Sequence, residues 1–218
     1  MVDRFTDGIL TPTEASSHLQ IPHSTLTDWL NHKAAGAPLV HAVAPGHKGQ
    51  PTVPFIAVAE AHVLRSLRTL GFRMSEIRDA AAAVRRAFET PYGLVSKRIA
   101  TDGVDIFVEH GLGDLRRAKD GQAPIHEVVA DYLRYFTWGT DDEFPWSLRL
   151  RQYGDAVPVV IDPRFGHGLP VVEANHVSVK AITDLWDAGD SFEDIAYDFD
   201  MTPEQVHTLC EAVVHLAA

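Results

Sequence analysis

A strong signal for the start of a helix lies near the N-terminus of this chain and constrains the fold of this region. A proline that ends the predicted helix follows a few residues later. Thr11-Pro12-Thr13-Glu14 has the form of a capping box, in which the hydroxyl of the first residue and the carboxylate of the fourth accept from each other's backbone N–H. Proline suits the first helical position because no N–H is needed there. Pro22 disfavours a helical conformation at the residue before it. The pattern predicts a short helix, with Ala15 and Leu19 on its apolar face, and then a turn.

A second short helix is predicted from about His23 to Asn31, with an apolar stripe that includes Trp29. Two short helices joined by a tight turn are typical of a helix-turn-helix unit. A strand-like run at 39–43, a Pro- and Gly-rich tip at 45–49 and a second run at 52–56 follow. They predict a β-hairpin in the position of a wing.

Two further helices are predicted at about 58–70 and 75–88, separated by Gly71. The segments TPTEASSHLQIPHSTLTDWL and LRSLRTLGFRMSEIRDAAAAVRR, with the predicted wing between them, resemble the MerR-like winged helix family. The resemblance covers about the first 90 residues. It implies a DNA-binding domain, which we place at residues 1–98.

The predicted DNA-contacting residues fall into two groups. Residues 11–32 contain no Lys or Arg, so the groove-facing candidates offer hydrogen bonds without a fixed positive charge: His23, Ser24, Thr25, Thr27 and Asn31. Phosphate neutralisation, which supplies most non-specific affinity, must then come from cations elsewhere in this domain. The cationic candidates are Lys33, Lys48, Arg65, Arg68, Arg73, Arg78, Arg85 and Arg86. Because Arg78 and Arg85 are seven residues apart, we expect them to share a helix face.

Charge is divided by position along the chain. Residues 1–98 hold 11 Lys and Arg against 8 Asp and Glu, residues 99–160 hold 6 against 11, and residues 161–218 hold 2 against 11. Although the whole chain has a net charge of −11, residues 1–98 have a net positive charge, unlike the other two segments. Residues 1–98 are therefore suited to binding a polyanion. Residues 161–218 repel phosphates and are suited to contact with a protein.

Residues 99–160 predict a small α/β connector. We expect a hairpin at 99–108 turned at Asp102-Gly103, a second Asp-Gly turn at 120–121 and a helix at about 125–136. Strand periodicity is found at 147–153 and 157–161. The acidic triplet Asp141-Asp142-Glu143 could bind a divalent cation, but adjacent carboxylates rarely converge on one ion, which favours a solvated loop.

Residues 161–218 predict an acidic module of three helices. The first runs over about 179–188 and ends at Gly189, and Ser191 and Thr202 mark the starts of the other two. The segment VVIDPRFGHGLPVVEANHVSVKAITDLWDAGDSFEDIAYDFDMTPEQVHTL is similar to a bacterial domain of unknown function found in VapB-type antitoxins. The predicted fold class of the whole chain is α+β and helix-rich. We expect the acidic module to serve dimerisation or toxin contact.

Together the two resemblances indicate a VapB-type antitoxin of a winged kind. They imply a cognate VapC-like ribonuclease toxin with acidic metal ligands, repression of the operon through operator DNA, and a homodimer. An arginine inserted into an acidic metal site would make charge-assisted bonds to its carboxylates. The candidates for this toxin contact are Arg149, Arg151 and Arg164.

Two other functions stay open from the residues alone: a stand-alone, effector-sensing MerR-like regulator, and a metal-dependent hydrolase. The twelve histidines are scattered and form no HExxH motif, and no glycine-rich phosphate loop follows a strand. We therefore expect no catalytic residue, metal or cofactor, and a chain that is not an enzyme. The single cysteine, Cys210, excludes an intrachain disulfide, and no secretion signal is found, which favours a cytoplasmic protein.

Overall fold

A computed structural model describes residues 2–31, 38–69, 72–100 and 129–217 as a mixed helix and sheet structure, so the predicted α+β class is confirmed. The chain divides into two compact units. The head unit is Arg4–Trp146, and the tail unit is Ser147–Ala218 together with the first three residues. The expected connector at 99–160 is thus divided between these two units. Of the helices described, none is long and apolar enough to cross a membrane.

The predicted helix-turn-helix is present in the head unit as α1 (Pro12–Leu19) and α2 (His23–Leu30). The Thr11 hydroxyl accepts from the Glu14 backbone N–H at 3.2 Å, and Glu14 accepts from the Thr11 backbone N–H at 2.7 Å, so the capping box forms as predicted. Gln20 adopts a left-handed conformation with φ of 50°, which ends α1 ahead of the turn. Leu26 and Trp29 of α2 are buried in the core of the head unit.

The predicted wing hairpin is only partly found. The run at 39–43 does not form a strand, although the Val43 backbone N–H donates to the Thr52 carbonyl at 2.9 Å. Instead β2 (Val53–Pro54) pairs antiparallel with β1 (Gly8–Leu10), a strand that the sequence did not predict. The prediction failed because β2 finds its partner more than 40 residues away, beyond the reach of a hairpin signal.

Two helices of equal length form the core of the head unit. α3 (Phe55–Thr69) begins earlier than predicted and is buried along most of its length, and α4 (Met74–Phe88) packs one apolar face inward. α1 contacts both α2 and α3, so the helix-turn-helix rests on the long buried helix. Single-turn 3₁₀ helices at Gly93–Val95 and Lys97–Ala100 follow α4.

The rest of the head unit differs from the expected connector. Helical residues end at 133, and Phe136 opens β3 (Phe136–Trp138) rather than closing a helix as predicted. β3 lies beside the start of β4 (Pro145–Arg149). The hairpin turn expected at 102–103, the Asp-Gly turn at 120–121 and the helix start at 125 lie outside the described residues.

In the tail unit, β4, β5 (Val159–Ile161) and β6 (Val171–Val172) pair antiparallel. The predicted strand at 147–153 is shorter, because Arg151–Tyr153 forms a 3₁₀ turn. Three helices complete the unit as predicted: α5 (Val179–Ala188), α6 (Phe192–Phe199) and α7 (Pro203–Ala217). Gly189, with φ of 100°, ends α5 in the left-handed conformation that glycine adopts without strain.

Candidate functional site

The outer surface of α2 carries polar side chains but no Lys or Arg. His23, Ser24 and Asn31 are exposed, whereas Thr25 and Thr27 are half-buried. The Thr27 hydroxyl is buried and has no hydrogen-bond partner among the described residues. Exposed groups at the start and end of α2 can donate to base edges or phosphates without supplying a fixed charge.

Two of the predicted phosphate-binding arginines hold the fold of the head unit. Arg65 on α3 donates to the Leu19 carbonyl at 2.6 Å and to the Gln20 side chain at 3.2 Å, so it fastens the helix-turn-helix turn to α3. Arg68 donates to the Phe72 carbonyl at 2.7 Å, near the end of the same helix. Both side chains remain partly or largely exposed, and they position the candidate interface in addition to any contact with DNA.

Arg85 belongs to a buried ion pair, which the sequence reasoning missed. Its guanidinium donates to the Pro38 and Leu39 carbonyls, each at 2.9 Å, and to the Glu60 carboxylate at 3.3 Å. Glu60 is fully buried and also accepts from the backbone N–H of His41 at 2.9 Å. A buried carboxylate is tolerated only where such donors surround it. Arg85 therefore stabilises the fold of the head unit and is not a candidate for DNA contact.

Arg78 and Arg85 are seven residues apart on α4, but their side chains differ in exposure. Arg78 is exposed, whereas only 13% of the Arg85 side chain is exposed. A signal for the pair was present in the sequence, because Glu60 interrupts the apolar run FIAVAEAHVL and a charge there needs a buried partner. Of the predicted cationic candidates, the exposed ones are Lys48, Arg68, Arg73, Arg78 and Arg86, and Lys33 lies outside the described residues. Arg98 and Arg134 are exposed on the head unit as well.

The three predicted toxin-contact arginines lie close together in sequence but differ in their surroundings. Arg149 donates to Asp155 at 2.8 Å, at the end of β4. Arg164 forms a two-pronged pair with the buried Asp162, at 2.9 Å from Nε and 2.6 Å from Nη2, and this hydrogen bonding raises the pKa of Arg164. Arg151 is exposed in the 3₁₀ turn. A partner carboxylate would have to compete with Asp155 for Arg149 and with Asp162 for Arg164.

The acidic triplet at 141–143 does not converge on one point. Asp142 accepts from Arg4 and from the Trp146 indole, and these contacts hold the pKa of its carboxyl below its ordinary value. Glu143 accepts from the Ser96 hydroxyl at 2.7 Å. These two carboxylates anchor the loop to other residues of the head unit, whereas a solvated loop was expected. Within the described ranges, no three His, Cys, Asp or Glu side chains form a metal-ligand cluster.

The tail unit presents an acidic surface around one exposed aromatic ring. Tyr197 on α6 is 89% exposed, the most exposed large apolar side chain in the described parts of the chain. Glu193 and Asp198 on the same helix are exposed as well. The buried side of α6 is formed by Ile195 and Ala196. The outer side of this helix is therefore polar, anionic and aromatic at once.

These features define the class of protein: an α+β chain with a helix-turn-helix in one unit and an acidic three-helix module in the other. Residues 8–81 match a family described as "Putative DNA-binding HTH domain", and residues 159–211 match "Protein of unknown function (DUF433)". A curated protein of Mycobacterium tuberculosis, "Putative antitoxin VapB45", is 33% identical over 96% of this chain and 95% of its own length. The chain belongs to the family of this VapB-type antitoxin.

A solved structure supports the same relationship. The crystal structure of Rv2018 from Mycobacterium tuberculosis matches with a TM-score of 0.77 and 30% sequence identity, covering 95% of this chain and 99% of that one. The similarity therefore extends over the head unit and the tail unit, rather than over the helix-turn-helix alone.

Proposed function

We propose that this chain is the antitoxin of a type II toxin–antitoxin system, which represses its own operon and neutralises a VapC-like ribonuclease toxin. The observation that carries the proposal is the 33% identity to a protein named as an antitoxin along 96% of the chain. Two separate binding tasks fit the described residues, since most of the exposed cations lie on the head unit and the acidic helices lie on the tail unit. The protein acts by binding, without catalysis, in the cytoplasm.

The DNA-binding task falls to the helix-turn-helix of the head unit. His23 and Ser24 on α2 are exposed, as is Asn31 directly after the helix, and Thr25 is half-buried. In this arrangement α2 enters the major groove, and the exposed cations of the head unit neutralise phosphates. We propose a homodimer on a two-fold-related operator, with half-sites about 34 Å apart.

Footprinting on the promoter of the chain's own operon tests this task. We expect protection of two half-sites separated by about one helical turn, at low salt. Absence of protection at low salt, where phosphate contacts are strongest, would contradict the proposal. A scrambled duplex of the same length is the matched control.

The toxin-binding task is tested by co-expression with the neighbouring gene. We expect the ribonuclease it encodes to co-purify with this chain and to lose activity in the complex. Replacing Arg149, Arg151 and Arg164 together with glutamine should weaken inhibition if these arginines enter the acidic metal site. Unchanged inhibition would remove them from the contact while leaving the antitoxin function intact.

A further inference from the structure

The outer face of α6 is exposed, and its chemistry is unusual for an exposed surface. We define the α6 face as Glu193, Tyr197 and Asp198, all exposed. Tyr197 is 89% exposed, although a tyrosine ring is largely apolar and tyrosine is enriched among the residues that dominate protein–protein binding energy. A ring left so exposed at the centre of a helix face indicates a contact surface.

Carboxylates are placed on both sides of this ring by the helical repeat. Glu193 precedes Tyr197 by four residues, so their side chains are neighbours at about 5–6 Å between Cβ atoms. Asp198 lies about 100° further round the helix from Tyr197, on the exposed side of α6. The start of the helix is fixed because the Ser191 hydroxyl accepts from the Asp194 backbone N–H at 3.1 Å. The α6 face thus presents a fixed arrangement of negative charge and an aromatic face.

Charge decides which kind of partner the α6 face accepts. Residues 181–218 contain nine Asp and Glu and no Lys or Arg, so the field around α6 is negative. A nucleic acid is repelled by this surface, and so is the same face of a second copy of the chain. A protein that presents arginines or lysines is attracted, and an arginine can bond to the carboxylates while stacking on the Tyr197 ring.

We propose that the α6 face binds the cationic groove in which the ribonuclease toxin holds the phosphates of its RNA, so that antitoxin and RNA compete for one surface. This inference rests on the proposed antitoxin function. A ribonuclease needs a positively charged groove because its substrate is a polyanion. The α6 face offers that groove carboxylates in the role of phosphates and an aromatic ring in the role of a base.

Competition with RNA tests the proposal directly. The probe is a fluorescein-labelled single-stranded RNA bound to the toxin from the neighbouring gene, in EDTA so that a metal-dependent ribonuclease does not cleave it. We expect the wild-type chain to displace the RNA as it binds the toxin, and added salt to weaken the complex. Retention of RNA in the antitoxin–toxin complex would overturn the inference.

Variants with a matched control locate the contact. Glu193→Gln combined with Asp198→Asn should weaken toxin binding about tenfold or more, and Tyr197→Ala should weaken it to a similar extent. The control, Asp79→Asn with Asp141→Asn, removes the same charge from exposed positions of the head unit and should leave affinity unchanged. Circular dichroism verifies that each variant keeps its helices.

The outcomes separate the inference from the function on which it rests. A wild-type chain that binds and inhibits the toxin, with the α6 variants equal to the control, would refute the α6 face and leave the antitoxin function standing. A wild-type chain that neither binds nor inhibits the toxin would refute both. The inference is supported if the wild-type chain and the control variant displace RNA from the toxin and the α6 variants do not.

Discussion

Arg78 and Arg85 lie two helical turns apart on α4, and the structure predicts opposite effects for their replacement. In Arg85→Ala, Glu60 loses its guanidinium partner at 3.3 Å and the Pro38 and Leu39 carbonyls lose their donors. Removing one member of a buried ion pair costs about 3–5 kcal/mol, and we expect the lower end of this range because His41 keeps its bonds to Glu60. At roughly 2–4 °C per kcal/mol for a chain of this size, a loss of about 3 kcal/mol should lower the melting temperature of the head unit by about 6–12 °C.

Thermal unfolding followed by tryptophan fluorescence is the assay, since three of the four tryptophans (Trp29, Trp138 and Trp146) lie in the head unit. Arg78→Ala is the matched control: it should melt within about 1 °C of wild type, as an exposed substitution does. Its expected effect is on DNA, where the loss of one phosphate contact lowers the slope of log affinity against log salt by about one. If Arg85→Ala melted like wild type and lost DNA affinity, the structural assignment of Arg85 would be refuted.

Three further substitutions test single contacts. Asp142→Asn should lower the free energy of unfolding at pH 7 by about 1.5–3 kcal/mol, because Arg4 loses a charged partner. Since the Asp142 pKa is lowered in the folded state, this contribution is present above the ordinary pKa of 3.8 and is lost as pH falls below it. Denaturation at pH 7 and below 3.8 checks the trend, and a constant difference would argue against it. Ser191→Ala should cost about 1 kcal/mol by removing the α6 cap, and an unchanged melting temperature of the tail unit would count against that role. Ile161→Ala, at a fully buried position of β5, should cost about 2–5 kcal/mol by chemical denaturation, and a loss below 1 kcal/mol would mean that the site is loosely packed.

Helix starts could be predicted from the sequence because the interactions that make them are local. The cap at Thr11 joins residues three apart, and the structure contains the same reciprocal bonds at Thr202, whose hydroxyl accepts from the Gln205 N–H at 3.3 Å. The end of α5 at Gly189 could also be predicted, since glycine adopts the left-handed conformation freely. Short-range chemistry of this kind fixes α1, α5 and α7 whatever they pack against.

Features that depend on distant partners could not be predicted in the same way. β2 pairs with β1 rather than with the run at 39–43, and no pattern in either segment specifies that choice. The apolar run around Glu60 indicates that this acid needs a buried partner, but it does not indicate that the partner is Arg85, 25 residues later and on another helix. The DNA contact of His23, Ser24 and Asn31 stays a prediction, although the structure shows that these three side chains are exposed. The sequence reasoning did not foresee that Arg85 is paired with a buried acid.

The most direct test of the account is the salt dependence of binding to a fluorescently labelled duplex from the chain's own promoter. The account assigns phosphate contacts to Lys48, Arg73, Arg78 and Arg86, exposed on each head unit of a dimer. Each contact contributes about −0.9 to the slope of log affinity against log salt. The eight contacts of the dimer together give a slope of about −7, and we predict a slope of this size and tighter binding than to a scrambled duplex. A slope near zero, or equal affinity for both duplexes, would contradict the claim that the head unit reads operator DNA.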